Sequence, residues 1–538
     1  MTFSTCVLHA ALVLSSAALP EPAVVGNQLD AAIAESWKPL GISPAPLIED
    51  GAFFRRVWLD LAGRVPPLAE ARQFLESKSV SKRADAVDKL LASKEFANHW
   101  ARLWAEYLID KRPFAQDNYD GHVLQTYLRD ALLAGKSYQR ITTELLQGAG
   151  ASDESGPANF LLRYGVQPEQ LAGAVSKKFL GVTLQCAQCH DHPHAAWKQD
   201  DFWGLAAYFS RLRRMQPAEN PDDDNFAIVV ERSRGELTRP DPKGKPDAEG
   251  KIPEKTYYPR VPGAPAADTS DQRRQALIEW LTAPRNPYFS RHLVNRVWRQ
   301  LLGAELVSSL DAPPSKTAVS TLETALLELL AADFAASDYD LKRLLRVIVL
   351  SSAYQRAAAP HRNPSLAQAK KEGKAADNKA AVENEQESAE FLETRHYARH
   401  RLRPLTADQI YLSMAQATGY RGNDQEARLA AMTDDDFTTD IPQDSLSADS
   451  LAVKRSLALL NGEQARAASE AAAAVSLRLY GKTPGAKHIE WMFLSLLTRK
   501  PNPAEMDALL EVASSGEDGL EDVAWVLLNS AEFVTNHS

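Results

Sequence analysis

The chain has 538 residues, of which 44% are hydrophobic and 24% charged, and its formal net charge is -9. It is too long for one ordinary core and too apolar for global disorder, so two or more folded domains are expected. No basic stripe interleaved with aromatics appears, which argues against nucleic acid as a partner, and only three cysteines rule out a disulfide-stapled scaffold.

The N-terminus carries Cys6, a mostly apolar run over residues 7–19, then Pro20-Glu21-Pro22-Ala23. The run is too short to span a bilayer and fits the core of a signal peptide. Residues 1–23 therefore read as a leader for export to the periplasm or cell surface. One feature departs from the usual leader: no Lys or Arg precedes Lys38. No other stretch is long and apolar enough for a membrane span.

Residues 28–215 have a helical period. The segment 53–61 has apolar residues at helical spacing, and Gly63 marks its stop. Pro66-Pro67 opens the next helix, which runs through Phe74. Residues 81–91 are amphipathic. Residues 96–108 place Trp100, Trp104 and Leu108 on one stripe, the pattern of core packing. Residues 216–271 are rich in Pro, Asp, Gly and Lys and read as a linker with β-like pieces at 226–230 and 256–258. Helical patterning resumes at 272–281 and continues at 290–302, 320–334 and 341–355. The stretch 363–388 is rich in Ala, Lys and Glu, lacks large apolar residues, and reads as a charged insertion. Helices return from Thr406, interrupted by an acidic loop at 434–449. The expected fold is all-α: two helical domains, 28–215 and 272–538, joined by a loop-rich linker with minor β.

One motif carries chemistry. Cys186-Ala187-Gln188-Cys189-His190 holds both cysteines that remain once a leader bearing Cys6 is removed. C-x-x-C-H is the attachment signature of haem c. Cysteines three apart share one face of a helical turn, so both sulfurs can reach the vinyl groups of one haem, and the next histidine faces the iron. Haem c is the favoured cofactor, with Cys186 and Cys189 as attachment residues and His190 as proximal ligand. His192, His194 and Met215 are candidate further ligands. The alternative is zinc, held by Cys186, Cys189 and two of His190, His192 and His194. A thiol redox pair is a further reading, without the βαβ context such pairs usually have.

The remaining polar clusters have plainer readings. Arg211, Arg213 and Arg214 read as a solvated helix end, or as partners for haem propionates. His396 and His400 lie four apart, flanked by Arg395, Arg399, Arg401 and Arg403, and read as a basic exposed face. His99, beside Trp100, reads as a satisfied packing histidine. No zincin, P-loop, nucleophile-elbow or dinucleotide fingerprint is present, and whether the chain is an enzyme stays open.

The wider context of the pentad carries a resemblance. Phe179-Leu180-Gly181-Val182-Thr183-Leu184-Gln185 precedes it. Asp191-His192-Pro193, Trp197, Gln199 and Asp201-Phe202-Trp203-Gly204-Leu205-Ala206-Ala207-Tyr208-Phe209 follow. With Phe54-Arg55-Arg56-Val57-Trp58-Leu59-Asp60-Leu61, these runs resemble the planctomycete cytochrome-like domain of unknown function, PSCyt-two type. The second half is similar to the companion PSD-one type domain. It does so through Arg274-Gln275-Ala276-Leu277, Val294-Asn295-Arg296-Val297-Trp298, Ser351-Ser352-Ala353-Tyr354-Gln355-Arg356 and Arg403-Pro404-Leu405-Thr406. The resemblance implies an exported protein named for its cytochrome-like pentad, with no established reaction to carry over. The expected function is a monohaem c-type protein that exchanges electrons with an unknown redox partner or senses redox state. The alternative is a non-redox surface or scaffold protein with a zinc or structural pentad. A polymer-degrading accessory enzyme is a third reading, for which no paired carboxylates stand out.

Overall fold

The computed structural model describes residues 19–110, 120–192, 195, 197–216, 226–241, 244–261, 272–311, 321–358, 391–420 and 462–536. Most of the expected leader, His194, the insertion 363–388 and the acidic loop 434–449 lie outside these residues. Helices dominate, as the hydrophobic period predicts, and the strands are short. No described helix is long and apolar enough to cross a membrane.

The chain enters through α1 (Pro22–Trp37), α2 (Asp50–Ala62), α3 (Leu68–Glu76), α4 (Lys82–Leu91) and α5 (Lys94–Ile109). α2 ends at Gly63, which takes φ 73° and donates its N–H to the Leu59 carbonyl at 3.2 Å. A side chain at Gly63 would strike the His99 ring on α5, so both the backbone and the close approach require glycine. Trp100, Trp104 and Leu108 of α5 are buried as one core stripe. Then come α6 (Gly121–Leu133), α7 (Tyr138–Leu146), α8 (Gly156–Arg163), α9 (Pro168–Val175) and α10 (Gln199–Ala207). Asp120, Ser137 and Ser155 cap the starts of α6, α7 and α8 with side-chain oxygens.

The described parts of the segment expected as a linker are packed into the body. β1 (Gly150–Ala151) and β2 (Leu212–Met215) both pair antiparallel with β3 (Ile228–Glu231), while β4 (Leu237–Pro240) and β5 (Glu254–Tyr257) form a hairpin. Both β-like pieces are thus strands, and β3 draws its partners from the region expected to be wholly helical. Ala227, Val229, Leu237 and Tyr257 are buried. Charge anchors the segment further. Both Glu236 oxygens lie 2.6 Å from Arg273, and Glu231 lies 2.6 Å from Arg274. Arg211 is buried beside Glu236, and Arg213 donates to the Ser210 and Leu212 carbonyls. Arg211 and Arg213 are structural, whereas Arg214 of β2 is exposed, so the three do not form a solvated helix end.

The second half opens with α11 (Arg273–Leu281), α12 (Phe289–Leu302), α13 (Leu322–Ala336) and α14 (Leu341–Leu350). α1 packs on α13 and α14 through Val25, Leu29 and Ile33, so N- and mid-chain segments share one core that extends from Val25 to Tyr397. A second core is built from α15 (Ala407–Thr418), α16 (Glu463–Tyr480), α17 (Ala486–Leu496), α18 (Pro503–Ala513), α19 (Glu517–Leu528) and α20 (Ala531–Val534). Leu59 of α2 and Val65 complete it. Packing divides the described chain near residue 400, whereas composition changes at 216–271.

α2 lies between the two cores and is buried on every side, yet it carries Arg55, Arg56 and Asp60. Buried charges need partners. Arg55 donates to the Leu496 and Phe533 carbonyls at 2.7 and 2.8 Å, and Arg56 to those of Tyr354 and Arg356. Asp60 accepts from Arg403 (2.8 Å to each oxygen), the Tyr354 hydroxyl (2.7 Å) and the Asn536 amide (2.9 Å). A two-residue ladder between β6 (Arg403–Pro404) and β7 (Thr535–Asn536) brings Arg403 and Asn536 together for this purpose. Asp60→Ala leaves the three donors buried without their acceptor and is expected to cost about 3–5 kcal/mol, read from urea denaturation.

Two histidines depart from expectation. His400 is buried beside Tyr354 rather than on an exposed basic face, and Arg399 next to it is buried against Glu393. His99 does pack in the core, but neither ring nitrogen has a hydrogen-bond partner among the described residues. Burial, with Arg102 nearby, pushes His99 down to about 3; burial, with Arg56 and Arg403, holds His400 well below its ordinary value. Below the ordinary value of 6.5 the unfolded chain protonates at both positions and the folded chain does not, so stability falls as pH falls. Burial also pushes His292 down to about 3, so with these two groups the slope approaches about 4 kcal/mol per pH unit between about pH 6 and 5, and His99→Gln should lower it by about a third in denaturation midpoints.

Candidate functional site

The pentad sits on a strap between α9 and α10. α9 runs into a π-helical turn, Ser176–Leu180, which Gly181 ends at φ 69°. The Gly181 backbone lies against the His292 ring of α12, where a side chain would not fit. The Thr183 N–H donates to Asp311 at 2.6 Å. A 3-10 turn follows, Leu184–Gln188.

Three residues per turn make positions i and i+3 eclipse. The turn therefore has three faces. Leu184 and Ala187 share the first and are fully buried. Gln185 and Gln188 share the second, joined by a 2.5 Å side-chain hydrogen bond. Cys186 and Cys189 share the third; both are exposed, and both are free thiols. The spacing of the cysteines was legible, and the 3-10 geometry aligns them more closely than an α-turn would.

α10 holds the strap from outside. Gln199 Nε2 donates to the Gln188 and Cys189 carbonyls at 3.2 and 3.0 Å, and Trp203 Nε1 donates to Gln188 at 3.1 Å. The Gln199 N–H donates to Asp191 at 2.9 Å. Gln199 and Trp203 carry no local signal in the sequence that marks them as supports.

The histidines differ in tautomer. His190 is exposed, and its Nδ1 lies 2.7 Å from the Asp191 carbonyl. A carbonyl only accepts, so Nδ1 carries a proton, and in the neutral ring the lone pair then sits on Nε2. His192 is the reverse: its Nδ1 accepts the Ala195 N–H at 2.9 Å. Its Nδ1 lone pair is spent within the strap. Met215 stands 53% exposed at the end of β2, with α10 between it and the pentad along the chain. Among the described residues no three His, Cys, Asp or Glu side chains gather as a metal site.

Comparison with known proteins gives two family matches. Residues 28–214 match the PSCyt2 model, described as a protein of unknown function (DUF1549), and residues 273–427 match the PSD1 model, a protein of unknown function (DUF1553). No curated protein and no solved structure matches the chain.

Trp203→Phe removes one of the donors that pin Gln188, at an expected cost of about 1 kcal/mol. Amide exchange over residues 186–190 should quicken. Exchange equal to that of the unmodified chain would show that α10 does not hold the strap.

Proposed function

For a chain that belongs to the paired PSCyt2 and PSD1 families, we propose the role of an exported monohaem c-type protein in electron transfer or redox sensing. The observation that carries this reading is the eclipsed, exposed pair Cys186 and Cys189, followed by a histidine whose neutral ring has its lone pair on Nε2. Cys186 and Cys189 would hold the haem by thioether bonds, and His190 Nε2 would take its iron. When bound, the group supplies a one-electron redox centre. The Asp191 carbonyl keeps the proton on His190 Nδ1, the usual outer-shell arrangement of a ligating histidine. Gln199 and Trp203 steady the Gln188 and Cys189 carbonyls behind the thiols.

Zinc has less support. A structural zinc takes four converging side chains, whereas haem attachment needs two thiols on one face and a histidine set apart from them. His192 spends its Nδ1 lone pair on a backbone amide. Export belongs to the same proposal, because covalent haem attachment takes place outside the cytoplasm.

Production in a host with haem c maturation tests the reading. One haem increment in the denatured mass and a Soret band are expected, both lost in a Cys186→Ala, Cys189→Ala double variant. Unmodified mass with stoichiometric zinc would remove it. Cell fractionation should place the full-length chain outside the cytoplasm; a cytoplasmic protein would contradict the export part.

A further inference from the structure

Among the described residues, Arg296 of α12 is a cation without an acidic partner. Its guanidinium carbon lies 3.3 Å from the centre of the Tyr107 ring on α5, so the two groups are in van der Waals contact and the guanidinium is fixed by stacking. Two acids of this region, Asp110 and Glu305, are engaged with other cations. Asp110 pairs with Lys178 at 2.6 Å, and Glu305 pairs with Arg299 at 3.0 Å. Among the described residues no carboxylate pairs with Arg296.

The surroundings are polar, with the charge of Lys178 matched by Asp110. Lys178 is buried, and its Nζ lies 4.5 Å from the centre of the same ring. Tyr107 Oη lies 2.8 Å from His292 Nε2. Burial strips water from the Arg296 guanidinium and lowers its pKa. A desolvated cation without a counter-charge is unfavourable, and an incoming anion offsets that. Arg296 is half-buried, not sealed, so a solute can reach it.

We propose that Arg296 binds a carboxylate group where α5, α12 and the π-helical turn that leads to the pentad meet. Stacking occupies the guanidinium face and leaves its N–H edge, a planar fork that matches the two oxygens of a carboxylate. Tyr107 and Lys178 come from the PSCyt2 region, and His292 and Arg296 from the PSD1 region, so the ligand would sit where the two meet. His292 also packs under Gly181, five residues before Cys186. Two sources share this chemistry: a free small carboxylate, or a propionate of haem attached at the pentad. The proposal does not depend on the haem reading.

Succinate and acetate titrated calorimetrically into the haem-free chain test it. Saturable binding at one site is expected, weakened about tenfold or more in Arg296→Gln and less in Arg296→Lys, which keeps the charge and loses the fork. Arg466→Gln, at an exposed arginine of α16 paired with Glu470, should bind like the unmodified chain. Circular dichroism checks folding; if Arg296→Gln is misfolded, the lysine variant decides. No saturable binding, or binding unchanged in Arg296→Lys and Arg296→Gln, overturns the proposal. The same titration on haem-loaded chain separates the sources: lost binding identifies the propionate, and retained binding identifies a free carboxylate. Failure of haem to attach leaves the haem-free result standing.

Discussion

The buried carboxylate of Asp60 is the constraint on which the rest of the structure depends. It lies on a helix with no exposed face, so it is stable there only if the chain delivers donors to it. The donors come from very far along the sequence: Tyr354 is 294 residues away, Arg403 is 343 and Asn536 is 476. Satisfying one side chain therefore closes the fold, because meeting its needs brings the end of the chain back to α2. Arg55 and Arg56 act in the same way by donating to carbonyls at Leu496, Phe533 and Tyr354. Such a cluster contributes less to net stability than to uniqueness, since a wrongly packed α2 would leave charges buried and unpaired.

That rigid frame explains how a short, irregular strap can present two thiols reproducibly. The 3-10 turn has few backbone hydrogen bonds of its own. Its order comes from Leu184 and Ala187 on the core side and from Gln199 and Trp203 of α10 on the other. The upstream anchor is Gly181 against His292, which belongs to the second family region. The presentation of Cys186 and Cys189 thus draws on both halves of the chain, although all five pentad residues lie in the first.

Much of this was legible in the residues. The helical period located α2, α4, α5, α12 and α13 to within a few positions, Gly63 marked a real stop, and the tryptophan stripe of α5 faces the core. β-branched and aromatic residues flagged β3 and β5. Other readings failed because local pattern carries no information about distant partners. Arg211 looked solvated until Glu236 came beside it. His400 looked exposed among arginines, yet the Asp60 network draws its neighbours inward. The packing of β5 against α10 and the pairing of Glu236 with Arg273 of α11 were hidden by the loop-like composition of this segment.

By itself the sequence determined which segments are helical, where the paired cysteines stand and that three-residue spacing puts them on one face, because these follow from local periodicity and backbone geometry. Only the tertiary structure decided where the cores divide, which charges are buried, how α10 braces the pentad, and which tautomer His190 adopts. Those outcomes depend on groups tens to hundreds of residues apart, or on a hydrogen bond whose direction is set only once the chain has folded.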